Sequence, residues 1–335
     1  MRIRRRTRLT VAVVVVILLL LAFAVYLRKK APPEAARLLP ESDGIVYLNL
    51  RPLRAATHFD QRPVRHDADY QSFIDATGIQ FERDLDEAAF SLHRMPNAAG
   101  PNGPVAFSEV FVGHFDGGRL THYLEGISAG QESYAGHTIY SIPSEGRTVR
   151  VTLIGYDVVA VSNTPTAEQI HSILDRYRSA ALPFAGSSLL SDHYEEVPLL
   201  SLAWGIGQIG LPFGDSGNVS LMGMRLPVSF DSTFVASLRW TGSLRLRLEE
   251  IAPTEEAATA SAESVQTLLT LFRSMQSTLP AGMTDADLKP LLDTVQIEHH
   301  KDRAVLRATV PPKLLEKLLT PEKLQPLSPP SGDGK

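Results

Sequence analysis

Two stretches of this chain carry residues whose types and spacing suggest chemistry. The first is 200–220, LSLAWGIGQIGLPFGDSGNVS. Gly205, Gly207 and Gly210 spell G-x-G-x-x-G, and Gly214-Asp215-Ser216-Gly217 spells GDSG. The glycine pattern binds a dinucleotide only where it closes a strand and opens a helix, whose N-terminal N–H groups hold the pyrophosphate. Here Pro212, Gly214 and Gly217 follow at once, so no helix can start, and Asp231 comes after an irregular loop. The GDSG serine would need a histidine base oriented by a carboxylate, and no segment resembles the one that supplies that histidine in chymotrypsin-like proteases. Both fingerprints reduce to glycine richness.

The second stretch, HFDGGRLTHYLE, sets His114, Asp116, His122 and Glu125 within twelve residues. Imidazole and carboxylate suit a zinc-type ion, so His114, Asp116 and His122 are candidate ligands if the chain doubles back. The same residues also read as an Asp-Gly-Gly turn followed by a solvated helical face. His299 and His300 are neighbours in a strand and must point to opposite faces. Glu249-Glu250 diverges in the same way, and Glu255-Glu256 serves a helix dipole. No general acid–base pair emerges, and no cofactor is implied. With no cysteine in the chain, disulfides, thiolate metal sites and thiol nucleophiles are excluded.

What the glycine-rich stretch does instead is open. Residues 205–228 carry six glycines and two charges, Asp215 and Arg225. Exposed, Ile206, Ile209, Leu211, Phe213, Leu221, Met222 and Met224 would form a contact surface for a partner or a lipid. Packed, they would be a glycine-bent strand pair crossing the core.

The elements that must position these residues follow from periodicity and punctuation. Residues 9–27 are apolar apart from Thr10 and Tyr26, between MRIRRRTR and Arg28-Lys29-Lys30. At ~1.5 Å per residue such a run spans a bilayer. Its basic leader predicts a single-pass anchor with a cytoplasmic N-terminus and an extracytoplasmic, periplasmic remainder. Ala22-Phe23-Ala24 could alternatively be a signal-peptide cleavage site. Without the first thirty residues the chain holds 25 basic and 37 acidic residues, net −12, a poor partner for nucleic acid. Residues 31–42 read as a linker.

Strands are predicted at 44–50, 107–115, 136–142, 148–163 (broken by a turn at 155–157), 198–204 and 232–251, with a hairpin over 293–310. Helices are predicted at 67–77, stopped by Gly78, at 119–126, from a Thr164 cap through Tyr177, at 255–278 and at 311–319. The order strand, strands, helix, hairpin, helix occurs twice. The expected fold is therefore α+β: a transmembrane helix followed by antiparallel sheets with packed helices, in two related units at 43–182 and 183–319, and a disordered tail at 320–335.

The chain resembles a set of uncharacterised bacterial single-pass proteins with extracytoplasmic domains of unknown function. The likeness rests on ARLLPESDGIVYLNLRPLR, DYQSFIDATGIQFERDLD, VGHFDGGRLTHYL and VVAVSNTPTAEQIHSILDRY. It implies an envelope-facing α+β domain and no activity. The expected function is a non-enzymatic binding or assembly module with a protein partner, or an apolar ligand held between sheet and helices. The alternative is an envelope hydrolase whose site is assembled from scattered residues.

Overall fold

The computed structural model describes residues 31–61, 66–179, 186–208, 220–221, 224–225, 231–276 and 288–311. Strands dominate. β1 (Gly44–Asn49), β2 (Leu85–Arg94), β3 (Val105–Gly113), β4 (Gly130–Tyr134), β5 (His137–Ser144), β6 (Arg147–Ile154), β7 (Val158–Ser162) and β8 (Ser201–Gln208) are followed by the two-residue β9 (Ser220–Leu221) and β10 (Met224–Arg225). β11 (Thr233–Trp240), β12 (Leu244–Ile251), β13 (Gln296–His300) and β14 (Arg303–Val310) complete the set. Twelve of them form one sheet in the order β13-β14-β12-β11-β8-β1-β2-β3-β7-β6-β5-β4, while β9 and β10 pair separately. Every neighbouring pair is antiparallel.

Alternation of side chains gives this sheet two faces. The front face is covered by α1 (Glu34–Leu38), α6 (Glu168–Ser179) and α7 (Ser188–His193). Ala35, Ala36 and Leu38 of α1, Ile170, Ile173 and Leu174 of α6, and Leu190 of α7 pack on Ile45, Tyr47, Val110, Trp204, Ile206 and Val235. The Tyr47 and Trp204 rings stack at 5.3 Å between centroids. The back face is covered at one end by α3 (Ala68–Thr77) and α5 (Gly117–Ile127), whose Leu120 and Leu124 meet Tyr140, Val151 and Val159. At the other end lies α8 (Glu255–Gln276), over β13 and β14. Between β1 and β2 run α2 (Leu50–Thr57) and the single turn α4 (Phe81–Asp84), and α9 (Leu288–Asp293) precedes β13.

The two ends meet where β1 pairs with β8, Val46 opposite Gly205 and Gly44 opposite Gly207. This contact accounts for Gly205 and Gly207, two of the three glycines of the dinucleotide-like pattern; Gly210 lies outside the described residues. A Cβ at Gly207 would sit 2.9 Å from the Gly44 Cα and 3.0 Å from the Asp43 carbonyl oxygen. One at Gly205 would lie 3.4 Å from the Ile45 carbonyl oxygen. These are strand residues in close backbone approach.

Several expectations are corrected. The fold is a single twelve-stranded antiparallel sheet with few helices, in place of two α+β units behind a transmembrane helix, because β1 and β8 zip both halves together. The connections do follow one order on either side of that seam. A three-strand meander (β1-β2-β3 or β8-β11-β12) is followed by a helix, and the last strand (β7 or β14) returns beside the third. No helix among the described residues is long and apolar enough to cross a membrane. The anchor expected at 9–27 lies outside the described residues, and the single-pass topology and periplasmic placement derived from it find no membrane-crossing helix among the described residues to support them. The supposed linker contains α1, with Ala35, Ala36, Leu38 and Leu39 in the core. The helix expected from Thr164 begins at Glu168, because the Thr164 hydroxyl bonds to Ser162 Oγ (2.9 Å) and donates to the Thr166 carbonyl (3.0 Å). The helix expected at 311–319 and the tail lie outside the described residues.

Substituting Gly207→Ala should lower stability by about 1–3 kcal/mol in urea denaturation, the usual cost of overpacking. Gly126→Ala, in α5 with nothing within 4 Å of the new carbon, should raise it by up to about 1 kcal/mol. Equal effects at the two sites would contradict the close approach of β1 and β8.

Candidate functional site

The candidate metal ligands do not converge. Asp116 caps α5, accepting from the Gly118 and Arg119 N–H groups at 3.1 Å each. His122 is on the exposed side of that helix, and His114 lies with Nδ1 3.4 Å from Asp86 Oδ2. Among the described residues no three His, Asp or Glu side chains could share an ion. Of the candidate contact residues, Ile206 is 2% exposed, in the front core beside Ile45 and Val235. As a contact residue it is corrected, and the packed alternative holds at this position, because alternation along β8 turns it inward with Trp204. Leu221 and Met224 lie opposite each other in the β9–β10 ladder. Ile209, Leu211, Phe213 and Met222 fall outside the described residues.

Polar clusters that sequence reasoning missed are spent on structure. Asp86, 3% exposed, takes Arg54 Nη1 at 3.0 Å and Arg51 Nη2 at 2.9 Å. Burial alone would raise its carboxyl pKa, but the hydrogen bonds from Arg51 and Arg54 outweigh it and hold the group below its ordinary value. The cluster locks α2 onto the start of β2.

A second cluster has the look of a nucleophile and base. His93 Nε2 lies 2.9 Å from Ser108 Oγ, which lies 3.1 Å from Ser162 Oγ. Burial pushes the His93 pKa down. Yet Ser108 is fully buried and Ser162 1% exposed, so no acyl group can reach the hydroxyl. The network satisfies polar groups inside the front face. Glu250 similarly accepts from Ser232 Oγ (2.8 Å) and Ser261 Oγ (3.2 Å), tying α8 to β12.

The back face is different. Cross-strand register aligns one row over the whole sheet: Ile297, Leu306, Leu248, Ala236, Gly205, Val46, Phe90, Glu109, Val161, Val151, Tyr140 and Gln131. The next row holds Ala308, Leu246, Leu238, Ala203, Leu48, Ala88, Phe111 and Val159. Over the middle strands, between α5 and α8, this floor stays partly open. Val46 is 39% and Leu246 37% exposed, and Leu48, Phe90, Ala236, Leu238 and Leu248 are half-buried. Glu109 is the ionisable group in these rows. Set between Phe90 and Val161, its carboxyl pKa is pushed up by burial, and no described side chain bonds to it. Alternation could have flagged this floor only with the register known, since both faces of β1 and β2 are apolar.

No family model matches the chain, and no curated protein does. Three crystal forms of TP0453 are similar among solved structures. Form III is 12% identical with a TM-score of 0.44, covering 86% of this chain and 98% of that one. Form I gives 11%, 0.44, 87% and 99%, and form IV gives 10%, 0.41, 87% and 99%. Likeness at this level carries no argument about function.

Glu109 yields a pH-dependent expectation. Its folded pKa is raised, so below the ordinary value of 4.5 both folded and unfolded chains hold the proton and it costs nothing. As pH rises through the folded value, the fold must bear a half-buried carboxylate, and stability is lost. Glu109→Gln should therefore stabilise the protein at pH 7 by on the order of 1 kcal/mol, with the gain fading toward pH 4.5. Denaturation at both pH values checks this, and a gain that grows on acidification would contradict it.

Proposed function

We propose that the protein is a non-catalytic binding module that docks the apolar surface of a protein partner against the back face of its sheet. The observation carrying this reading is the floor around Val46 and Leu246, which remains open although helices cover the sheet on both sides of it. Apolar area left in water forgoes about 25 cal/mol per Å², and a contiguous exposed patch marks an interaction surface. Glycine and alanine at 203, 205 and 236 keep the centre of the floor low, which suits an inserted side chain or helix. The hydrolase alternative has less behind it. Asp116 caps α5, His114 lies beside Asp86 and His122 faces outward, so the three do not converge, and the His93–Ser108 pair is sealed from solvent.

A photo-crosslinking residue introduced at Val46, at Leu246 and, as control, at the 96% exposed Tyr156 tests the reading in the native cell. The first two positions should give the same discrete protein adduct and the control should not. Val46→Lys should weaken the Leu246 adduct by more than tenfold while circular dichroism stays native. Adducts at all three positions alike, or at none, would overturn the proposal.

A further inference from the structure

The front face has its own uncovered end, and its chemistry is the opposite of the apolar floor. Past the short 3-10 turn at Tyr194–Glu196 the front-face layer of α1, α6 and α7 ends among the described residues, and β11, β12 and β14 present Arg239, Arg245, Arg247 and Arg307 on one side. Register sets Arg239 directly opposite Arg245 and Arg247 directly opposite Arg307. Like charges directly opposite each other in a ladder are destabilising, and this chain places two such pairs side by side. They line a groove of about 520 Å³ together with Ser237 and Gln296, a size that holds a small molecule.

The carboxylates nearby answer only part of this charge. Arg247 Nη2 meets Glu249 Oε2 at 2.7 Å, and its Nη1 donates to the Glu196 carbonyl at 3.1 Å. Arg307 pairs with Glu298. Glu249 is shared with Arg303, which also holds Glu196 at 2.6 Å. Neither Arg239 nor Arg245 has a side-chain partner among the described residues. The groove therefore keeps two uncompensated guanidiniums facing each other, in a chain whose acidic residues outnumber its basic ones.

We propose that this groove is a binding site for a phosphate-bearing anion, with Arg239 and Arg245 as the clamp and Arg247 and Arg307 as its flank. A guanidinium presents a rigid fork of donors, and a phosphate offers three acceptor oxygens. Two facing forks can share one phosphate, whereas a carboxylate is filled by one. The Ser237 hydroxyl, on the groove floor beside Arg247 in the ladder, adds a neutral donor. The four guanidiniums stand on the strand face opposite the apolar floor, although Leu246 and Ala308 at the sheet edge also line the groove; the arginine variants leave both of these residues in place, so the two readings are tested separately.

Isothermal titration of the full chain with inorganic pyrophosphate tests the proposal. Binding should weaken at least tenfold in Arg239→Gln/Arg245→Gln, stay unchanged in Arg178→Gln, and fall with added salt. The double variant also removes a like-charge pair, so its denaturation midpoint should not drop, which guards against loss of fold as the cause. Sedimentation with phosphatidic acid vesicles, with and without pyrophosphate as competitor, distinguishes the sources. Vesicle binding lost in the double variant and competed by pyrophosphate identifies a lipid headgroup. Pyrophosphate binding without vesicle binding identifies a soluble phosphate. The proposal is overturned if pyrophosphate does not bind, if the double variant binds as well as the wild type, or if an oligoglutamate peptide binds more tightly than pyrophosphate.

Discussion

The sheet is continuous only because β1 and β8 come close enough to exchange backbone hydrogen bonds, and glycine permits that approach. At Gly207 even a methyl group would meet backbone atoms of Asp43 and Gly44 that cannot swing aside. From this seam the rest of the architecture follows. Ile45, Tyr47, Trp204, Ile206 and Val235 are brought into one front-face layer, and α1, α6 and α7 find a common surface to cover. Without the seam each half would expose a strand edge of unpaired N–H and C=O groups.

The same seam determines what is left over. Among the described residues helices cover the back face only at its two ends, because α5 and α8 each lie in the crossover of their own half. The middle of the sheet, formed by the first strands of both halves, inherits no helix among the described residues. That leaves the apolar floor at Val46 and Leu246. On the front, α1, α6 and α7 reach as far as the turn at 194–196, and the strands beyond carry arginines in place of apolar residues. One end of the molecule thus offers a charged surface and the centre of its other face an apolar one, each in a place that connectivity leaves bare.

Much of the local structure was legible in the residues. Gly78 ends α3 in the left-handed region at φ 75°, Asp116 caps α5, and the stripe Ile170, Ile173 and Leu174 goes fully into the core. These signals act within a few residues. Long-range pairing was not legible. Strand β1 finds β8 more than 150 residues away, and no local pattern announces that partner. The sequence leaves Ile206 open between contact surface and packed strand because its glycine neighbours suit either, and only the pairing with β1 decides for the core. In 31–42 the Pro and Glu residues suggest a linker and obscure four core residues, Ala35, Ala36, Leu38 and Leu39. The arginine pairs and the Asp86 and His93 clusters are invisible without register, since each is built from residues on different strands or helices.

The central claim is that one sheet, closed at β1–β8, is the cooperative unit. Amide hydrogen exchange on the full chain tests it most directly. The account expects the paired amides of β1 and β8 to be among the slowest, exchanging at a rate set by global unfolding and shared by β3 and β12 on either side. Fast exchange at β1 and β8, with the two halves protected to different and independent degrees, would contradict it.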